Sequence, residues 1–273
     1  MDFKLIIYEK ANGVATIAMN NPRRRNAFSD AMCAEMKQAL RDAESDSDIH
    51  ALILTGTGDQ AFCAGADVSA WGTRYEARSA AEAYADAGRA AVLHNHAETV
   101  TVPFYRSHLV TIAAVNGDAA GGGFTLSLCC DMRIVSEKAR FASSFVRRGV
   151  TGSYGNSFFL SRLVGTARTC ELMLTGDIID AAKAERYGIV NKVVPLAQLM
   201  PEARSLAERI AKLPPLAVRA TKMNIYHAVN FPPSLEDHLV FEGHYNTYCH
   251  QTEDAKEGAK AFMEKREPVF RGR

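Results

Sequence analysis

The 273-residue sequence has little of what marks membrane, nucleic-acid-binding or disulfide-stabilised proteins. No apolar run approaches the roughly 18 residues of a spanning helix, and the N-terminus lacks the layout of a signal peptide. Lys and Arg number 32 against 31 Asp and Glu, so no broad field attracts nucleic acid or an anionic membrane. The six cysteines show no zinc spacing, which favours buried thiols in a reducing compartment. We therefore expect a soluble cytoplasmic protein without a metal site.

Apolar periodicity and turn residues predict an α/β fold. Asn12-Gly13 separates two strand-like runs, which is typical of a β-hairpin, and Ser29 can cap the helix that follows. Continuous apolar runs predict buried central strands, whereas the segment 71–101 has helical spacing. The strands are predicted at 5–8, 14–19, 51–55, 111–115, 133–135 and 189–194.

The chain divides into two predicted regions. Residues 1–195 form an α/β core, and residues 196–273 are almost entirely helical, with breaks at Pro214-Pro215 and Pro232-Pro233. The helical region is thin for a separate core, so we expect it to pack on a neighbouring subunit.

Three glycine-rich segments follow strand-like sequence and lead toward helices, at 63–67, 121–123 and 149–155. Each can present free backbone N–H groups at a helix N-terminus, and two such groups that converge form an oxyanion hole. The alternative is that the glycines only permit tight turns and close packing. GxGxxG, GxxxxGK[ST] and GxSxG are absent, which excludes Rossmann and nucleotide-hydrolysing sites.

Several motifs, in order and over nearly the whole chain, resemble the crotonase, or enoyl-CoA hydratase/isomerase, superfamily. They are Asn21-Pro22, Asn26-Ala27, 61–67, 113–117, 121–123, Cys130-Asp131, 174–177, Ala181-Ala182, 188–190 and 262–266. The resemblance implies a core of repeated ββα turns in a spiral, with a C-terminal helical trimerisation region. It also implies a homo-trimer or hexamer that binds acyl-CoA thioesters and needs no cofactor other than the CoA of its substrate.

The resemblance also implies where the site lies. The oxyanion hole falls on the backbone N–H groups of Ala66 and Gly122, which would stabilise a thioester enolate. The positions implied for the substrate and CoA are Arg23, Arg24, Ala64, Asp67, Phe145, Phe262 and Lys265.

Three positions depart from the family pattern, because Thr125, Phe145 and Ser153 stand where its members place acids. Thr125 and Ser153 remain candidates for positioning a water, although a hydroxyl without an adjacent base is a poor general base. Arg147 and Arg148 could bind an acyl carboxylate. Possible replacements for the missing acids are Glu76, Glu82, Asp86, His94, His96, Glu98 and Asp118.

These observations favour an enzyme of the enoyl-CoA hydratase/isomerase type. One alternative is a non-catalytic acyl-CoA-binding or assembly subunit, which the loss of three acids suggests. A second alternative is a CoA-thioester hydrolase that uses Ser153.

Overall fold

The structure is a computed structural model that describes residues 2–67, 97–230 and 234–273. The predicted helical segment 71–101 falls mostly outside these residues, as do the second proline pair and every candidate acid or histidine from Glu76 to His96. The described end of that segment is a π-helical turn at Ala97–Thr101.

The described residues contain ten strands and nine α-helices. The strands are β1 Ile6–Ala11, β2 Val14–Met19, β3 Ala51–Gly56, β4 Ala61–Cys63, β5 Val110–Val115, β6 Asp118–Ala120, β7 Met132–Ser136, β8 Arg140–Ala142, β9 Ile178–Asp180 and β10 Lys192–Val194. The helices are α1 Asp30–Ser45, α2 Val102–Arg106, α3 Gly122–Leu128, α4 Asn156–Thr175, α5 Ala181–Tyr187, α6 Leu196–Ala211, α7 Pro215–Asn230, α8 Leu235–His250 and α9 Glu253–Glu264.

From β3 to β8, successive strands alternate between two sheets. One sheet has the order β1-β2-β3-β5-β7-β10 and the other has the order β4-β6-β8-β9. Pairing is parallel except for β1 with β2 and β8 with β9. Each of the turns β5-β6-α3 and β7-β8-α4 gives one strand to each sheet and then a helix, which confirms the predicted ββα spiral.

The local sequence signals were mostly correct. Asn12 and Gly13 both have positive φ in the turn that joins β1 to β2. The Ser29 hydroxyl accepts the Met32 N–H and caps α1. The late strand was predicted too long, because Ile189 donates its N–H to the Ala184 carbonyl and so belongs to the end of α5.

Helix α6 covers one face of the six-stranded sheet. Its residues Leu199, Ala203 and Ala207 are buried against Ile53 and Ile112 of the sheet. The first helix after residue 195 therefore packs on the α/β core. The division into a core at 1–195 and a helical region at 196–273 that packs on a neighbouring subunit stays a prediction.

A buried ion pair joins α7 to the core. Lys222 Nζ lies 2.7 Å from a carboxylate oxygen of Asp131, and these side chains are only 11% and 13% exposed. The Asp131 carboxylate also accepts the Thr111 N–H at 2.7 Å and the Tyr226 hydroxyl at 2.6 Å. Because these bonds satisfy the carboxylate from both sides, Asp131 fixes α7 against β5.

We predict that Lys222→Met lowers the free energy of unfolding by about 3 kcal/mol, because it leaves a largely buried carboxylate without its cation. Denaturant unfolding at matched protein concentration measures the change. Lys192→Met is the matched control, since its pair with Glu202 is 52% and 39% exposed and should contribute less than about 1 kcal/mol. Equal losses of unfolding free energy in the two variants would contradict the stabilising role of the buried pair between Lys222 and Asp131.

The C-terminal helices leave large apolar side chains uncovered in the single chain. The most exposed include Ile225 at 57%, Leu239 at 54%, Val240 at 75% and Phe262 at 86%. Within the described residues, no helix combines the length and apolar character needed to cross a membrane.

Candidate functional site

Two buried asparagines fix the segment that begins at β4. Asn26 Nδ2 and Asn116 Nδ2 both donate to the Ala61 carbonyl, at 2.8 and 3.1 Å. Each also accepts a backbone N–H, from Asn21 and from Gly56 respectively. Because the amide groups are buried and have both donor and acceptor partners, the start of β4 has a single well-defined position.

The segment 64–67 lies beside the loop 25–28. The Ala64 and Asp67 amides donate to the carbonyl oxygens of Arg25 and Phe28, at 3.0 Å each. The Gly65 amide lies 3.4 Å from the Cys63 thiol. The amide of Ala66 has no acceptor among the described residues. One N–H group in this segment is therefore available to a ligand.

This segment touches the N-terminus of α3. Gly65 has φ +96°, and a Cβ there would lie 3.3 Å from the Gly122 nitrogen and 2.8 Å from the Ala120 carbonyl oxygen. A Cβ on Gly123 would lie 2.0 Å from the Cys63 carbonyl oxygen. Only glycine permits these approaches, so the two predicted glycine segments do meet in the structure.

Gly122 is the first residue of α3, so its N–H has no acceptor within the helix. It also has none elsewhere in the part of the chain that the structure describes. The free amides of Ala66 and Gly122 thus belong to two segments in contact, and the second lies at the positive end of a helix. This arrangement can bind an oxyanion.

Aromatic rings surround the N-terminus of α3. A Cβ on Gly122 would lie 2.7 Å from Phe28 Cζ and 3.0 Å from Tyr154 Cε2, and one on Gly121 would lie 3.7 Å from Phe145 Cζ. The Phe28 and Tyr154 rings meet edge to face at a centroid distance of 5.6 Å. The surroundings of the Gly122 amide are therefore apolar, and the role of Phe145 in substrate binding stays a prediction.

The Thr125 hydroxyl is buried and already has partners. It donates to the Gly121 carbonyl at 3.2 Å and accepts from Asn156 Nδ2 at 3.1 Å. Asn156 in turn accepts a short hydrogen bond from the Ser143 hydroxyl. Thr125 therefore supports the N-terminus of α3, and its hydroxyl has no hydrogen left to position a water.

Ser153 lies half-buried in the loop before α4, and its hydroxyl has no partner among the described residues. The structure places no histidine in hydrogen-bond contact with it within those residues. A serine needs an adjacent base to act as a nucleophile, and the described residues place none in hydrogen-bond contact with Ser153.

The predicted CoA residues divide into two groups. Arg24 Nη1 lies 3.1 Å from an Asp67 carboxylate oxygen, so these two residues and Ala64 border the segment that carries the Ala66 amide. Arg23 is exposed in the 3₁₀ turn beside Arg24.

Phe262 and Lys265 lie at the end of α9, both exposed to solvent. No hydrogen bond or ion pair connects them to the Ala66 segment within the described residues. The part of these two positions in the predicted site therefore stays a prediction.

Sequence reasoning missed Phe28, Ser143 and Asn156. The sequence around Phe28 is typical of an ordinary core residue, and no local sequence pattern links Ser143 or Asn156 to Thr125. Four of the six cysteines are buried as predicted, namely Cys33, Cys63, Cys129 and Cys130, but Cys170 is exposed and Cys249 is partly exposed, so the prediction was wrong for those two. Burial raises the pKa of the Cys63 thiol to about 12 and keeps it protonated. The described residues contain no cluster of three metal-ligating side chains.

We predict that Gly123→Ala lowers the free energy of unfolding by about 1 to 3 kcal/mol, because the added methyl forces α3 away from β4. Thermal or denaturant unfolding measures the loss. Gly243→Ala is the control, since a Cβ there meets nothing within 4 Å and Gly243 lies in α8. The control variant should be as stable as the wild type or slightly more stable. A Gly123→Ala variant as stable as the wild type would contradict the close approach of α3 to β4.

Comparison with solved structures defines the class of protein. An enoyl-CoA hydratase from Bacillus anthracis superposes with a TM-score of 0.88 at 33% identity, covering 99% of this chain and 100% of that one. This is a protein of the crotonase fold, as the sequence predicted.

The sequence comparisons identify the family. The family described as "Enoyl-CoA hydratase/isomerase" matches this chain over residues 9–273. A crotonyl-CoA hydratase of Syntrophomonas wolfei is 35% identical, covering 99% of both chains, and a short-chain-enoyl-CoA hydratase of Clostridium acetobutylicum is 36% identical, covering 97% of both. The chain belongs to the enoyl-CoA hydratase/isomerase family, and the prediction of an enzyme of this type is confirmed at that level.

Proposed function

We propose that this protein binds an acyl-CoA thioester with its carbonyl oxygen between the N–H groups of Ala66 and Gly122. The observation that carries the proposal is that neither amide has an acceptor among the described residues, while their two segments are in contact. Two donors directed at one oxygen stabilise the negative charge of an enolate, which is the shared intermediate of hydration, isomerisation and α-proton exchange. CoA enters as part of the substrate, in the cytoplasm, and the reaction uses no other cofactor.

The nucleotide end of CoA is proposed to contact the basic loop at Arg23 and Arg24. Asp67 pairs with Arg24 and so holds that guanidinium near the segment that would receive pantetheine. Phe262 and Lys265 are proposed to reach the CoA of another subunit, because they are exposed at the end of α9 and lie apart from the site of their own chain.

A specific observation favours the non-catalytic alternative. Thr125 and Phe145 occupy acid positions, and neither the buried Thr125 hydroxyl nor a phenyl ring can transfer a proton. Hydration by the usual carboxylate pair is therefore not proposed. The activity that we propose is enolate stabilisation, with proton transfer by a group other than those two residues.

We predict that the protein catalyses exchange of the α-hydrogens of butyryl-CoA in D2O, measured by mass spectrometry of the recovered thioester. Exchange reports enolate formation whatever reaction follows. Crotonyl-CoA and β,γ-unsaturated acyl-CoAs in the same assay report hydration and isomerisation as mass gain or double-bond migration.

Three outcomes separate the candidate functions. Tight CoA binding without exchange or turnover would indicate a non-catalytic acyl-CoA-binding subunit and contradict the proposal of an enzyme. Release of free CoA that Ser153→Ala abolishes would favour the hydrolase. Failure to bind any CoA thioester at millimolar concentration would overturn the proposal itself.

We further propose that residues 196–273 assemble the chain into trimers or hexamers. The support is the exposed apolar surface of α7, α8 and α9, because surfaces of that kind on a folded chain mark interaction sites. Light scattering should give three or six times the 29.8 kDa chain mass, and a monomer at micromolar concentration would contradict the proposal.

A further inference from the structure

Arg147 and Arg148, in the 3₁₀ turn Val146–Arg148, have different partners in the structure. Arg147 donates to the Thr175 carbonyl at 2.9 Å and forms a short ion pair with Asp177. Its charge is therefore neutralised, and its guanidinium is directed at the loop after α4. Arg147 is not available to a substrate.

Arg148 is different, because it has no carboxylate partner among the described residues. Its one side-chain hydrogen bond runs from Nη1 to the Ser144 hydroxyl, at 2.9 Å. That hydroxyl oxygen would lie 3.9 Å from a Cβ on Gly121, the residue that precedes the Gly122 amide. Arg148 is exposed to solvent, and Ser144 connects its guanidinium to the residue before the Gly122 amide.

The neighbouring carboxylates already have cations of their own. Asp67 pairs with Arg24, and Asp118 receives two hydrogen bonds from Arg140, at 2.8 and 2.7 Å. Beside Arg148 itself, the position where the family resemblance implied an acid holds Phe145. Among the described residues, Arg148 is therefore a positive charge at this turn without a matching negative one.

We propose that Arg148 recognises a carboxylate on the acyl group, so that the preferred substrates are CoA thioesters of dicarboxylic acids. This inference rests on the proposed function and names its substrate class. Arginine forms two parallel hydrogen bonds with a carboxylate, and such charge-assisted pairs are stronger than hydrogen bonds between neutral groups. The Ser144 hydroxyl holds the guanidinium in place before the substrate arrives.

The test measures binding by calorimetry with saturated thioesters that cannot be hydrated. The ligands form pairs that differ only by a terminal carboxylate: propionyl-CoA and succinyl-CoA, butyryl-CoA and glutaryl-CoA, valeryl-CoA and adipyl-CoA. We expect the dicarboxylic member of at least one pair to bind about 10-fold or more tightly, and the best pair reports the distance from the thioester to Arg148.

Arg148→Gln should abolish this preference by weakening the dicarboxylic ligand about 10- to 100-fold, while the affinity for the monocarboxylic member stays the same. Arg148→Lys keeps the charge but loses the paired hydrogen bonds, so it should keep part of the preference. Arg147→Gln is the matched control and should keep all of it. Unchanged thermal unfolding verifies that each variant folds.

The outcomes separate this inference from the function on which it rests. Equal affinity within every pair, a preference that survives in Arg148→Gln, or equal losses in the Arg147 and Arg148 variants would overturn the carboxylate assignment alone. Failure of the wild-type protein to bind either member of any pair would overturn the acyl-CoA function, and the carboxylate assignment with it.

Discussion

The close approach of segment 64–67 to the N-terminus of α3 is the constraint on which the site depends. Backbone meets backbone there, at Gly65 against Gly122 and at Gly123 against the Cys63 carbonyl, and no side chain larger than hydrogen fits. The contact follows from the parallel pairing of β4 with β6 in the four-stranded sheet, because β4 leads into one segment and β6 leads to the other. The ββα spiral provides that arrangement.

Buried polar groups maintain this contact from both sides. Asn26 and Asn116 fix the start of β4, while Thr125 and Asn156 fix the first turn of α3. Each hydrogen bond contributes only about 1 kcal/mol to stability, but the cost of leaving such a group unpaired makes the geometry specific. Thr125, which stands where the resemblance implied an acid, thus supports the first turn of α3 through its two hydrogen bonds.

The sequence predicted what depends on neighbouring residues and missed what depends on distant ones. The Asn12-Gly13 turn and the Ser29 cap are local, so their signals could be recognised directly. The pairing of Thr125 with Asn156 spans 31 residues, and the division between Arg147 and Arg148 depends on Asp177, which no spacing rule connects to the turn. The strand at 189–194 was overextended because an apolar pattern does not reveal that Ile189 completes a helix.

The central claim is that the N–H groups of Ala66 and Gly122 polarise a thioester carbonyl. Isotope-edited infrared spectroscopy of bound butyryl-CoA labelled with ¹³C at the carbonyl tests it most directly, because hydrogen bonds weaken the C=O bond. We expect the labelled carbonyl band to move to lower frequency on binding, relative to the free thioester in water. A bound ligand whose carbonyl band stays at the frequency of the free thioester, or moves above it, would contradict the account.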